Sequence, residues 1–217
     1  LLKIAKTGKP IIISTGMATI EEIKESLIHI NHYNKNIILL HCTTSYPCQM
    51  NEVNLRAMQT LEKEFECLVG YSDHTLGIDV MVMAARSGAV VLEKHLTLDK
   101  SMEGPDHKAS IDSIELKEAI YKIRNPTYNI IYNEEVLGSA EKIPTKNELI
   151  ISPFIRKSIL ASRNIRKGEK FSNKNIIIKR PGTGLQPKYY EVLIKQIAKV
   201  NIKEGTPITA NMVGGIK

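Results

Sequence analysis

The chain has 217 residues, 42% of them apolar and 24% charged, which suits one sizeable core or a medium core with a small second one and excludes wholesale disorder. No apolar run approaches the roughly 20 residues that a membrane-crossing helix needs. The net charge of +7 fits anionic small substrates as well as nucleic acid, but no aromatic residues interleave with the basic ones in a stacking pattern, which disfavours nucleic acid.

Residues 1–112 repeat one pattern of apolar strand, polar loop and amphipathic helix. Strands are expected at Pro10–Ser14, Ile37–Thr43, Cys67–Ser72 and Val90–Leu96. Helices are expected between them at Thr19–Tyr33, Asn51–Phe65 and Gly77–Ser87, the first carrying Ile20, Ile23, Leu27 and Ile30 at three- and four-residue spacing. The strands are continuous apolar runs, such as Ile37-Ile38-Leu39-Leu40. Such runs mark a parallel sheet covered on both faces. Four βα units in a row imply an α/β fold, either half of a (β/α)8 barrel or a doubly wound sheet, and no glycine-rich dinucleotide loop is present. A helix over Ile114–Ile123 should be stopped by Pro126. Residues 134–155, with Gly138, Pro144 and Pro153, read as a linker. Residues 156–213 read as a small β-rich module, with Asn164–Glu169 and Asn201–Thr206 resembling each other around a glycine turn. The chain opens Leu1-Leu2-Lys3 and enters a strand almost at once, as a piece of a longer protein would. Three cysteines (Cys42, Cys48, Cys67) and no signal peptide suggest reduced, packing thiols and a cytoplasmic location.

Polar residues gather at the C-terminal ends of all four strands, the end where a parallel barrel builds its active site. His74 and His95 end the third and fourth strands. Two imidazoles converging there can hold a divalent metal with open positions for substrate and water, or can be a hydrogen-bonded pair at the barrel mouth. Asp106, in Gly104-Pro105-Asp106-His107, can face the mouth as an acid, a base or a partner for sugar hydroxyls, or belong to a plain turn. Ser14, Thr15 and Gly16 precede a helix, where they suit a phosphate or carboxylate, or simply cap it. Lys9 lies at the opposite end of its strand and reads as structural. Arg180, in a proline-flanked, glycine-rich stretch, suits a carboxylate or phosphate, or is a solvated surface charge.

Six segments together resemble one family. They are Ile13-Ser14-Thr15-Gly16-Met17, Leu40-His41-Cys42-Thr43-Thr44-Ser45-Tyr46-Pro47, Gly70-Tyr71-Ser72-Asp73-His74-Thr75, Leu92-Glu93-Lys94-His95, Gly104-Pro105-Asp106-His107 and Arg180-Pro181-Gly182-Thr183-Gly184-Leu185. The chain resembles the sialic acid synthases, which include N-acetylneuraminate, legionaminic acid and pseudaminic acid synthases. The resemblance implies a partial TIM-barrel synthase domain, the C-terminal half of the (β/α)8 barrel (1–133), a linker (134–155) and a small β-rich, antifreeze-like SAF domain (156–217). It implies a domain-swapped homodimer whose SAF domains cover each other's sites. It also implies condensation of phosphoenolpyruvate with an N-acetylmannosamine-type sugar, giving a nine-carbon 2-keto acid and phosphate by C–O cleavage. A divalent metal, usually Mn2+, then belongs on His74 and His95. Ser14, Thr44, Tyr46 and Ser72 belong among the substrate contacts, with Asp106 on the sugar and Arg180 reaching the partner's site.

Three places depart from the family pattern. Thr44 stands where some members have Asn, Ile194 where Gly is expected, and Asn125–Asn133 does not look like the usual helix end. The family's first half-barrel, with its lysines and an acidic residue, is absent, so this chain alone is expected to be inactive. The alternatives are another metal-dependent, phosphoenolpyruvate-using or aldolase-type barrel enzyme, and an inactive fragment serving as a SAF-type binding module.

Overall fold

Chain order and spatial order coincide in the first of two units, Leu1–Glu148, of the computed structural model, which describes residues 1–214. A short helix not anticipated from the sequence, α1 (Leu2–Ala5), precedes the first strand. Strands β1 (Ile11–Ser14), β2 (Ile37–Cys42), β3 (Leu68–Asp73) and β4 (Leu92–Lys94) form one parallel sheet in the order β1-β2-β3-β4. This half-barrel arrangement is the α/β fold that the uninterrupted apolar runs require. β4 is shorter than expected, yet its flanks still pair: Val90 N donates to Val69 O, and Leu96 bridges Ile111. Gly70 lets β3 and β4 approach, because the Val91 carbonyl and the Leu40 side chain occupy the place of a Cβ.

Helix α2 (Ile20–Asn31) starts where the sequence supplies a cap. The Thr19 side chain accepts from Glu22 N and the Glu22 carboxylate accepts from Thr19 N. Ile23, Leu27 and Ile30 are its buried face. The expected helix Asn51–Phe65 is broken into a 3₁₀ turn, Met50–Glu52, and α3 (Ala57–Phe65). Two carbonyls at the break are taken by side chains at the end of β2: Thr43 Oγ1 donates to Glu52 O and His41 Nε2 to Val53 O. Asn54 adopts φ 55° there. Helix α4 (Asp79–Arg86) is buried from Val80 to Ala84, as its apolar faces imply. Helix α5 (Ser113–Arg124), capped by Asp112 and Glu115, ends two residues before Pro126.

The 134–155 stretch, read as a linker, is structured in two places. Helix α6 (Glu134–Leu137) buries Val136, and α7 (Lys146–Ile155) places Glu148 at 1% exposure. Asn54 explains part of this, since its side chain accepts from Ala140 N and donates to Glu141 O. No helix among the described residues is long and apolar enough to cross a membrane.

The second unit begins at Leu149. Strands β5 (Ser158–Ala161) and β6 (Ile176–Lys179) pair antiparallel, and isolated bridges complete a β-rich module. The two resembling stretches face each other. Ile165 and Ile202 exchange both backbone hydrogen bonds at 2.8 Å. Asn201 Oδ1 accepts from Lys167 N, and Asn164 Oδ1 accepts from Glu204 N, so each copy holds the other's glycine turn. Ile159, Phe171, Leu193 and Ile208 are fully buried in this unit's own core. The helix expected near Tyr190–Ile197 is a 3₁₀ turn, Pro187–Tyr189, continued by α8 (Tyr190–Leu193). Ile194, where a glycine is expected, is partly buried against the same core.

Candidate active site

The last three residues of β3 and β4 match rung by rung. Ser72 lies opposite Glu93 and Asp73 opposite Lys94 in the parallel register, and His74 and His95 follow one step further. Side chains alternate across a strand. Ser72, Glu93 and the two histidines therefore share one face, and Asp73 and Lys94 share the other with Tyr71. Ser72 Oγ donates to Glu93 Oε1 at 2.7 Å. Asp73 and Lys94 form a buried ion pair at 2.8 Å, their side chains 0% and 4% exposed.

The His74 and His95 rings stand edge to face with centroids 5.6 Å apart. His74 Nδ1 lies 2.9 Å from Thr43 O. A carbonyl only accepts, so the proton sits on Nδ1 and the Nε2 lone pair is free. Burial, and less strongly the neighbouring His95, lower the His74 pKa, while the bond to Thr43 O raises it. The balance favours the neutral imidazole, the form that binds metals. His95 Nδ1 is 3.7 Å from Asp106 Oδ2, an electrostatic approach rather than a hydrogen bond. Tyr46 completes the cluster, its ring 5.2 Å from His74 and 4.4 Å from His95. Burial raises the Tyr46 pKa, against a lowering by Ser110.

Asp106 reaches His95 because its loop returns to the sheet. Ile111 N donates to His95 O and Thr97 N to Ile111 O. His107 is tied into the same loop through Thr97 Oγ1 at 2.7 Å.

Two imidazole nitrogens on one ion at about 2.1 Å each lie within roughly 4.2 Å of each other. Rings at 5.6 Å between centroids can satisfy that, since each nitrogen stands roughly an ångström off its ring centre. A free Nε2 whose partner nitrogen is tied to a carbonyl is the usual state of a metal-ligating histidine. Among the described residues no three His, Cys, Asp or Glu side chains gather closely enough to form a complete ion site. The donor set fits a divalent ion with two protein imidazoles and positions left for water and substrate.

Ser14 is exposed at the end of β1, and Thr15 Oγ1 donates to Leu40 O. Thr44 Oγ1 occupies the space of the Cβ that Gly16 lacks, so the loops after β1 and β2 touch. The structure thus brings His74, His95, Tyr46 and Asp106 together directly. Ser72 joins through Glu93, whose charge slightly opposes the lowering of the His74 pKa, while Ser14 and Thr44 lie on the adjacent loops. Arg180 belongs to the second unit, is exposed, and donates from Nε to Ile155 O.

Three groups carry no site role in the sequence reading, although Glu93 and Lys94 lie in a segment that carries the family resemblance. Glu93 and Lys94 were hidden because their roles depend on the β3–β4 register. Glu148 is the third. Its buried carboxylate accepts from Met17 N, Thr44 N and Thr145 N, joining the β1 and β2 loops. Its only sequence signal is the spacing Thr145-x-x-Glu148, a capping box. Cys42, Cys48 and Cys67 are free thiols, the first two buried, as packing residues would be.

The NeuB family pattern matches residues 1–134 and the SAF domain pattern residues 156–214. The chain is 49% identical over 205 residues to an uncharacterized protein of Methanocaldococcus jannaschii, covering 94% of this chain and 58% of that one. It is 46% identical to the N,N'-diacetyllegionaminic acid synthase of Campylobacter jejuni, covering 94% of this chain and 60% of that one. The crystal structure of the spore coat polysaccharide biosynthesis protein spsE of Bacillus subtilis superposes with a TM-score of 0.89 at 33% identity. That match covers 99% of this chain and 64% of the other. The chain therefore spans less than two thirds of the length of these relatives.

Proposed function

This chain belongs to the NeuB family, and from that premise we propose that it carries the metal-binding and sugar-facing half of a synthase. The reaction is condensation of phosphoenolpyruvate with an N-acetylmannosamine-type sugar. C3 of phosphoenolpyruvate bonds to the sugar aldehyde carbon, water adds at C2, and phosphate leaves by C–O cleavage. The product is a nine-carbon 2-keto acid. The in-register pair His74 and His95, with its free Nε2, carries this reading.

His74 and His95 would hold a divalent ion, manganese by family resemblance. When bound, such an ion supplies Lewis acidity to an aldehyde oxygen. Thr43 O keeps His74 in the ligating tautomer. The Tyr46 ring packs against both imidazoles and limits water on that side. Asp106, beside His95 and half exposed, is free to accept sugar hydroxyls. Ser72 fixes Glu93 on the same face, and Ser14 and Thr44 offer hydroxyls from the neighbouring loops. Arg180 would serve the amino sugar in the site of a second copy, and the remaining strands would come from polypeptide outside this chain.

The test joins this chain to the N-terminal segment of the Campylobacter jejuni relative. The protein is supplied with phosphoenolpyruvate carrying 18O in the bridging position and with an N-acetylated mannosamine. Expected results are phosphate release that requires the sugar, label in the phosphate, and loss of turnover in His74→Ala. Phosphate release without the sugar, or label retained in the acid, would overturn the reading.

A further inference from the structure

We propose that Asp73 and Lys94 are a positioning pair that sets the separation and orientation of His74 and His95; this rests on the metal reading above. The two residues lie on the far face of the sheet from the imidazoles, so neither touches the reacting groups. They occupy the rung immediately before the two histidines. Their bonds enclose His74. Asp73 Oδ1 accepts from Thr75 N at 2.9 Å and from Thr75 Oγ1 at 2.8 Å. Lys94 Nζ donates to Asp73 Oδ2 at 2.8 Å and to Thr75 O at 2.6 Å. The backbone is thus tied on both sides of His74, and the same ammonium sits on the residue before His95. The ammonium links the two histidine-bearing segments through two bonds, to Asp73 Oδ2 and Thr75 O, while the Asp73 carboxylate braces the His74 turn through two more. Thr75 is fully buried and Asp73 1% exposed, so the link is shielded from water.

Stability alone gives little reason for a pair of charges here. The cost of taking two charges out of water largely offsets their attraction, and apolar residues of similar volume are often no worse. Position is what an apolar pair could not supply. A carboxylate and an ammonium that each bond two partners fix a turn to within a few tenths of an ångström, whereas apolar contacts allow sliding. Two ligands of one ion tolerate little sliding, and outer partners of metal ligands commonly change affinity by 10–100-fold.

The test measures Mn2+ binding directly, by the loss of the free-ion electron paramagnetic resonance signal on titration of this chain. His74→Ala is expected to abolish binding. The double variant D73L/K94M, which strands the buried Thr75 N–H, hydroxyl and carbonyl, is expected to fold with a lowered unfolding midpoint and to bind Mn2+ at least tenfold more weakly. Its His74 ring should lose the single Nδ1–H tautomer in imidazole 15N spectra. Parental affinity in a folded D73L/K94M, with His74→Ala inactive in binding, overturns the inference and leaves the metal reading intact. No binding by the parent, or parental binding by His74→Ala, overturns the metal reading and this inference with it. If D73L/K94M does not fold, Asp73→Asn replaces it, keeping the oxygen for Thr75 and removing the charge opposite Lys94. The same tenfold loss supports the inference, and unchanged affinity overturns it.

Discussion

Acidification should weaken this fold in large part through the buried imidazole of His41, 3% exposed. Its Nε2 donates to Val53 O, and its Nδ1 has no partner among the described residues. Burial, and then the charge of Lys142, push its pKa down to about 3 from an ordinary 6.5. Between those values the unfolded chain takes up a proton that the folded chain does not. Stability therefore rises with pH through this window and is lost as pH falls below 6.5. Lowering the pH from about 7.5 to about 5.5 protonates His41 in the unfolded chain only, at a cost of roughly 1 kcal/mol. Carboxylates remain largely ionised in that interval, so the effect is separable from general acid unfolding. His41→Gln keeps an N–H donor for Val53 O and does not titrate. Urea unfolding at the two pH values should show the parent losing about 1 kcal/mol more than His41→Gln. The depressed pKa of His74 acts in the same direction in both proteins and cancels in the comparison. Equal losses in the two proteins would refute the buried, neutral state assigned to His41.

Three other outcomes can be checked on the same material. Gly70→Ala places a methyl group on the Val91 carbonyl and the Leu40 side chain; urea unfolding should show a loss of about 2 kcal/mol or more. Burial pushes the Cys42 and Cys48 thiols up to about 11 and about 12, and raises Cys67 as well, though that residue is only half buried. A thiol reagent at pH 8 should therefore label Cys67 first, with Cys42 and Cys48 following only in denaturant. Glu148→Gln sets an amide donor against backbone N–H groups that now share a carboxylate, and should cost about 2 kcal/mol. Hydrogen exchange at Met17 and Thr44 should accelerate with it.

The parallel half-barrel was legible because its strands are unbroken apolar runs and its helices carry three- and four-residue spacing. The small module was legible from two copies of one short pattern, and the reciprocal bonds of Asn164 and Asn201 show why that pattern recurs: each copy needs the other's asparagine to hold its turn. What was missed depends on distant partners. The break before α3 is invisible in a window around Asn51–Phe65, because the groups that claim the carbonyls of Glu52 and Val53 come from Thr43 and His41. The 134–155 stretch reads as a linker by its glycine and prolines, while its order comes from Asn54 and from backbone amides of Met17 and Thr44.

The site shows the same division between residue type and register. Ser72-Asp73-His74 and Glu93-Lys94-His95 are visible as two polar strand ends, and their location at the C-terminal edge follows from the parallel sheet. Nothing in either triplet states that the two align without a shift. A slip of one residue would set Asp73 against Glu93 and His74 against Lys94, leaving an ammonium facing an imidazole and two carboxylates facing each other. In the register observed, two rungs are complementary, a hydroxyl on a carboxylate and an ammonium on a carboxylate, and the two imidazoles come side by side just beyond them. Gly70 admits the close approach of β3 and β4 on which this alignment depends, and the cost of mismatched buried charges in any slipped pairing selects it. The chemistry of the site and the pairing of its strands are thus specified by the same six side chains.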